Sequence, residues 1–213
     1  MMTVREQHRM GLFTKNDIAV SVRTVGSAQR WKVSKLLMIV KLVSQFFFSK
    51  VEKRSKQCAE EMHLQALGYS NIYTSNVALL QEHGQGLVIL SVKPHMRSAV
   101  FQEVDGRIWA GIPLIVSLMS GVDLATLEEE ASQKYYEHGI IRLMPNIPVG
   151  VCTGATVMCA SSSMPAAKIA LVKFIMEHVG TCVMMSEQAF NAATAVVGCG
   201  PAFASFFLYH PLP

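Results

Sequence analysis

Charge is scarce in this chain. Asp, Glu, Lys and Arg make up 16% of its 213 residues, against 51% hydrophobic, which excludes a disordered chain too polar to bury a core. Its five cysteines (Cys58, Cys152, Cys159, Cys182, Cys199) form no C-x-x-C pair and join no His/Cys cluster. A zinc finger or ribbon and a disulfide framework are thereby excluded, no metal site is expected, and free thiols in a reducing compartment are. The apolar run Leu36 to Phe48 is interrupted by Lys41, Ser44 and Gln45 and falls short of the roughly 20 residues needed to span a bilayer. It reads as a buried helix leading into a strand, and no transmembrane segment is expected. G-x-S-x-G, H-E-x-x-H and G-x-x-x-x-G-K are all missing, so no nucleophile elbow, zincin helix or P-loop organises the chemistry. Seven scattered histidines, no secretory signal and no internal repeat complete the list of absences.

What charge there is lies unevenly. Residues 1–57 carry twelve Lys/Arg against three Asp/Glu, and residues 58–213 carry seven against twelve. A nucleic-acid arm would concentrate its cations in a block, whereas these are spread among Leu, Ile, Val and Phe, so no nucleic-acid partner is expected. Arg5, Arg9, Ser21 and Arg23 suit a mitochondrial presequence, while Glu6 and Asp17 do not. The expected location is the cytoplasm, with the mitochondrion as the alternative.

Residues 1–17 show no periodicity and are left unassigned. Beyond them, short β-branched runs alternate with helical patterns. Strands are predicted at Ile18–Val25, Phe46–Phe48, Ile72–Tyr73, Leu87 to Pro94, Leu114–Met119, Ile140–Met144, Gly154–Ala160 and Thr181–Met185. Helices are predicted at Val33–Val43, Glu52–Leu67, from Asn76 with Ser75 as its cap, Met96–Val104, Leu124–Ala131 capped by Asp123, Ser163–Val179, and Glu187–Val197 running into Gly198-Cys199-Gly200-Pro201. Alternation of this kind gives a Rossmann-like, doubly wound and mainly parallel α/β sheet. The expected cofactor domain is 18–197, with 18–57 diverged, followed by a short helical segment at 198–213.

Ligands of open α/β sheets bind outside the carboxyl ends of the strands. Ser91-Val92-Lys93-Pro94, Met119-Ser120-Gly121 and Met144-Pro145-Asn146 all fall at such ends and are predicted to line one crevice. The turn after the first strand, Gly26-Ser27-Ala28-Gln29-Arg30-Trp31, is a degraded dinucleotide fingerprint. Gly26 is present, Ala28 replaces the second glycine, and Trp31 stands where a small residue packs helix on strand. Ser49, 23 residues after Gly26, occupies the ribose-reading position. With Lys50, Lys53 and Arg54 beside it, a 2′-phosphate is favoured, and hence NADP(H), with NAD(H) as the alternative. The other reading of these cations is a solvated helix start.

Five ordered motifs carry a resemblance: Val-Lys-Pro-His (92–95), Ser-Gly-Val (120–122), Arg-x-Met-Pro-Asn-x-Pro (142–148), Gly-Ala-Thr (154–156) and Gly-Cys-Gly-Pro-Ala-Phe (198–203). Over about residues 58–205 the chain resembles pyrroline-5-carboxylate reductase. His63 to Gly68 and Thr74 to Asn76 look most like the third, cytosolic-type animal isoform. The resemblance implies NAD(P)H-dependent reduction of 1-pyrroline-5-carboxylate to proline by a homo-oligomeric enzyme. It also implies that Asn76 and Ser91, Val92, Lys93 and Pro94 hold the adenosine and phosphate parts of the cofactor. Leu118, Met119, Ser120, Met144 and Asn146 would then lie towards the nicotinamide. It assigns no catalytic residue. Ile147 replaces the family's threonine and Cys199 its serine. The chain is expected to stop just inside the family's C-terminal helical dimerisation domain, leaving the apolar segment Ala202–Leu208 uncovered and the chain with little activity alone. The alternative is a non-catalytic truncated splice form or decayed paralogue that at most binds nucleotide or a full-length relative.

Overall fold

A computed structural model describes residues 20–21, 72–73 and 75–209. The expectations for Gly26, Ser27, Ala28 and Ser49, for the Phe46–Phe48 strand and for the helices between Val33 and Leu67 lie outside the described residues. The chain divides into two compact units, residues 1–83 and 84–213.

In the first unit β1 (Val20–Ser21) pairs in parallel with β2 (Ile72–Tyr73), Val20 opposite Ile72. Helix α1 (Asn76–His83) follows, and Ser75 Oγ accepts the N–H of Ala78 at 3.4 Å, the cap its position predicts. Tyr73 reaches the far end of this helix, its hydroxyl 2.9 Å from His83 Nε2.

The second unit is built on five strands in the order β3 (Leu87–Leu90), β4 (Leu114–Ser117), β5 (Ile140–Pro145), β6 (Gly154–Ala160) and β7 (Gly180–Met184). Three of the four ladders are parallel, and the β5–β6 ladder is antiparallel, so β6 and β7 both run against β3, β4 and β5. A parallel ladder requires a crossover. The segment from β3 to β4 carries α2 (Arg97–Glu103) and α3 (Gly106–Ala110). That from β4 to β5 carries α4 (Leu124–Ser132), and that from β6 to β7 carries α5 (Ala166–Glu177). Between β5 and β6 only a 3-10 turn, Ile147–Val151, intervenes, closed by Cys152 in the left-handed region at φ 60°. So short a link forces the antiparallel ladder.

Every residue of β4 and β5 is buried, as expected of central strands covered on both faces. Trp109, Ile112, Ile115, Leu127, Ile140 and Phe190 are fully enclosed. Trp109 explains α3, which the sequence pattern did not predict. Asp105 caps the short helix, its carboxylate taking the N–H of Arg107 at 2.8 Å, and the indole packs against Phe101 with ring centroids 4.8 Å apart and planes tilted by 39°. One buried aromatic is worth a few kcal/mol, enough to hold a five-residue helix that would not persist alone.

The last helix differs from expectation. The predicted helix Glu187–Val197 and the helical segment expected from 198 onward form one element, α6, which runs unbroken from Glu187 to Tyr209 through Gly198-Cys199-Gly200-Pro201. Proline deletes one backbone bond, the one to the Val197 carbonyl, and the neighbouring turns carry the helix past it. Among the described residues α6 is also the one helix long and apolar enough, by composition, to cross a membrane. Its first turn is nonetheless tied into the sheet by Glu187 and Phe190, while Phe203, Phe206, Phe207 and Leu208 are exposed.

Tyr136 ties β4 to the turn that leads into β5. Its hydroxyl donates to the Gly139 carbonyl at 2.8 Å and accepts the N–H of Ile115 at 3.1 Å, and burial pushes its pKa up to about 12. Tyr136→Phe keeps the ring and orphans both backbone groups, so unfolding in urea is expected to show a loss of about 1–3 kcal/mol. An unchanged midpoint would contradict this account.

Candidate functional site

Parallel pairing brings the carboxyl ends of β3, β4 and β5 to one edge of the second unit. Leu90 stands opposite Ser117, and Ser117 opposite Arg142. The tails leaving these strands are therefore neighbours. Leu118 N–H donates to the Leu90 carbonyl at 2.9 Å, joining the Ser91–Pro94 tail to the Leu118–Asp123 loop. Ser117 Oγ accepts the N–H of Met119 at 3.3 Å and turns the chain at the strand tip. β5 extends beyond its neighbour, so Met144 and Asn146 stand next along the same edge.

The lining is divided by polarity. Leu118, Met119 and Met144 are buried and form an apolar floor. Ser91 and Ser120 are half-buried, and Lys93 is exposed at the start of the 3-10 turn Pro94–Met96. Arg97, the nearby cation, is committed elsewhere. Its Nη1 donates to the Pro94 carbonyl at 3.1 Å and its Nε lies 3.1 Å from Glu130 Oε1, which also accepts from Ser98 Oγ. Among the described residues Lys93 makes no ion pair. Gly121 turns the β4 loop at φ 73°, a conformation glycine adopts without strain.

Asn146 has a scaffolding task. Its carboxamide oxygen accepts the N–H of Ala155 at 2.8 Å, while its own N–H bonds the Ala155 carbonyl at 3.1 Å. Of the residues predicted to bind a cofactor, then, Ser91, Val92, Lys93, Pro94, Leu118, Met119, Ser120, Met144 and Asn146 share one edge. Asn76 belongs to the first unit, and Gly26, Ser27, Ala28 and Ser49 are outside the described residues.

A second constellation escaped the sequence reading. Arg142, in the middle of β5, is only 1% exposed, and its Nη1 pairs with Glu187 Oε1 at the first turn of α6. Its guanidinium lies 4.2 Å over the Phe190 ring. Glu187 also accepts the N–H of Leu124 at 3.2 Å and the thiol of Cys159 at 2.9 Å. Two signals were available: an arginine inside the apolar run Ile140 to Met144, and the lack of any other charge in the 23 residues of α6.

The chain matches no family model. Pyrroline-5-carboxylate reductase 3 of Macaca fascicularis is 34% identical over 145 residues, 68% of this chain and 50% of that protein. The pyrroline-5-carboxylate reductase of Synechocystis is 32% identical over 122 residues, 57% of this chain and 43% of that one. The chain is a homologue of the pyrroline-5-carboxylate reductases. A Caenorhabditis elegans protein provisionally named pyrroline-5-carboxylate reductase 4 aligns at 26% identity over 205 residues, 93% of this chain and 56% of its own length. The chain thus spans about half the length of the curated relatives it matches.

Solved reductases share the fold. That of Coxiella burnetii superposes with a TM-score of 0.63 at 24% identity, covering 81% of this chain and 63% of the other. That of Plasmodium falciparum, with NADP bound, gives 0.58 at 23%, covering 75% and 54%. The sheet and its crossovers are the Rossmann-like architecture of these reductases.

The cysteines near the site are quiet. Burial, reinforced by Glu187, pushes the Cys159 thiol up to about 12, and burial pushes Cys182 to about 11. At pH 8 the thiolate fraction of either is on the order of one in a thousand or less. Cys199 is exposed on α6. Native alkylation at pH 8 followed by peptide mass spectrometry is expected to label Cys199 and leave Cys159 and Cys182 unmodified until denaturant is added. Rapid native labelling of Cys159 would be incompatible with this packing.

Proposed function

We propose that this chain is the cofactor-binding portion of an NAD(P)H-dependent reductase acting on the C=N bond of 1-pyrroline-5-carboxylate, with L-proline as product. The observation that carries the reading is the shared edge of three parallel strands, with a cation and hydroxyls at its rim and an apolar floor, in a homologue of reductases that do this chemistry by name. The residues fit a nicotinamide dinucleotide: Lys93 suits phosphate, and Leu118, Met119 and Met144 suit an apolar ring face. Bound NAD(P)H supplies the hydride. The chain's own contribution is to orient the cofactor and keep water from the reacting face. Lys93, together with Ser49, Lys50, Lys53 and Arg54 in the sequence, favours NADP(H) over NAD(H). The cytoplasm is the proposed location, with the mitochondrion as the alternative that imaging of a tagged chain would separate.

Ala28 and Trp31 in the glycine turn favour a second reading, a non-catalytic relative that at most binds nucleotide. Titration with NADPH, followed by nicotinamide fluorescence, tests the cofactor-binding part. Saturable binding is expected, with NADH weaker. Lys93→Ala is expected to raise the NADPH dissociation constant about tenfold, the value of one charge-assisted phosphate contact. No binding at millimolar NADPH would overturn the cofactor-domain reading and favour the decayed relative. Oxidation of bound NADPH on adding pyrroline-5-carboxylate favours the reductase, and its absence favours the non-catalytic relative.

A further inference from the structure

We infer that Glu187 is a positioning residue for the crevice loop Leu118–Asp123, acting through the backbone N–H of Leu124. This rests on the cofactor reading above and deepens it. The loop is held at both ends. At its start, Leu118 N–H is bonded to the Leu90 carbonyl and Met119 N–H to Ser117 Oγ. At its finish the chain enters α4, whose first N–H groups have no partner within the helix. Asp123 satisfies Thr126 N–H at 2.8 Å. Leu124 N–H is satisfied from 63 residues away, by Glu187 Oε1 at 3.2 Å.

A carboxylate with several rotamers fixes a loop only when its own position is fixed. Glu187 meets that condition. Arg142 holds Oε1 from the sheet centre, and Cys159 donates to Oε2 from the neighbouring strand, opposite Arg142 in register. Arg142 is itself immobilised by burial and by the Phe190 ring, one turn along the same helix. The order of dependence runs from sheet to arginine, to glutamate, to the helix α4 N-terminus, to the loop that carries Met119 and Ser120. Glu187 thereby ties α6 to the cofactor edge.

The hydrogen bond can be deleted without disturbing the ion pair. Leu124 is the first residue of α4, where proline is tolerated, and Asp123 at φ −77°, ψ 166° already has the extended conformation a following proline requires. Leu124→Pro removes both the side chain and the N–H, whereas Leu124→Ala removes only the side chain. Amide hydrogen exchange of residues 118–122 is expected to run about tenfold faster in L124P than in L124A, with β6 and α5 unchanged. E187Q is expected to change exchange at the same residues. If E187Q fails to fold because Arg142 is left unpaired, the two Leu124 variants decide the matter alone. Loop exchange in L124P no faster than in L124A, or a rise spread evenly over the chain, would overturn the positioning role.

NADPH titration of the same variants separates this from the cofactor reading. An approximately tenfold weaker affinity in L124P than in L124A supports the link from loop to cofactor, and equal affinities with unequal exchange would sink it. If the wild-type chain binds no NADPH, the cofactor reading fails, and the exchange comparison still decides whether Glu187 positions the loop.

Discussion

A guanidinium in the centre of a sheet cannot be left to itself. Arg142 sits on a strand whose every residue is buried, and a charge so placed needs a fixed counter-charge or it destabilises the fold by several kcal/mol. Glu187 provides it from the first turn of α6, the end of a helix at which a carboxylate is also favoured by the backbone dipole. The pair therefore sets where a 23-residue apolar helix must start and which face of the sheet it covers. Phe190 then closes over the guanidinium, and Cys159 and Leu124 complete the bonds to the carboxylate. Strands β5 and β6 and helices α4 and α6 all meet at one side chain.

From that centre the cofactor edge follows. Parallel register places the ends of β3, β4 and β5 side by side, and the bond from Leu118 N–H to the Leu90 carbonyl ties the tail of β4 to the end of β3. Asn146 and Ser117 spend their polar atoms on the backbone of this rim, while Lys93 does not. This division of labour leaves Lys93, which reads in sequence as an ordinary strand-end residue, as an exposed cation at the rim. It is also why Asn146, which has the look of a ligand contact, is first of all part of the scaffold.

Much of the second unit was legible beforehand because its signals are local. The β-branched runs Leu114–Ser117 and Gly154–Ala160, the cap at Asp123 and the proline opening α5 each carry their information within a few residues. Where the reading went astray, the deciding contribution lay outside the local pattern. Helix α3 depends on Trp109 meeting Phe101. The continuation of α6 past Gly198-Cys199-Gly200-Pro201 overrides a local breaker signal, because helical neighbours on both sides outweigh one missing N–H.

By itself, then, the amino-acid sequence determined the alternation of strands and helices, the three strand ends with their lysine and serines, and the ordered motifs shared with the pyrroline-5-carboxylate reductases. Periodicity, capping and turn chemistry act over a few residues and are written in the order of the chain. The tertiary structure alone decided that β6 runs against β5, that Asn146 is a clamp, and that Arg142 and Glu187, 45 residues apart, form one pair. Those outcomes depend on which groups lose water together, and burial is a property of the folded whole.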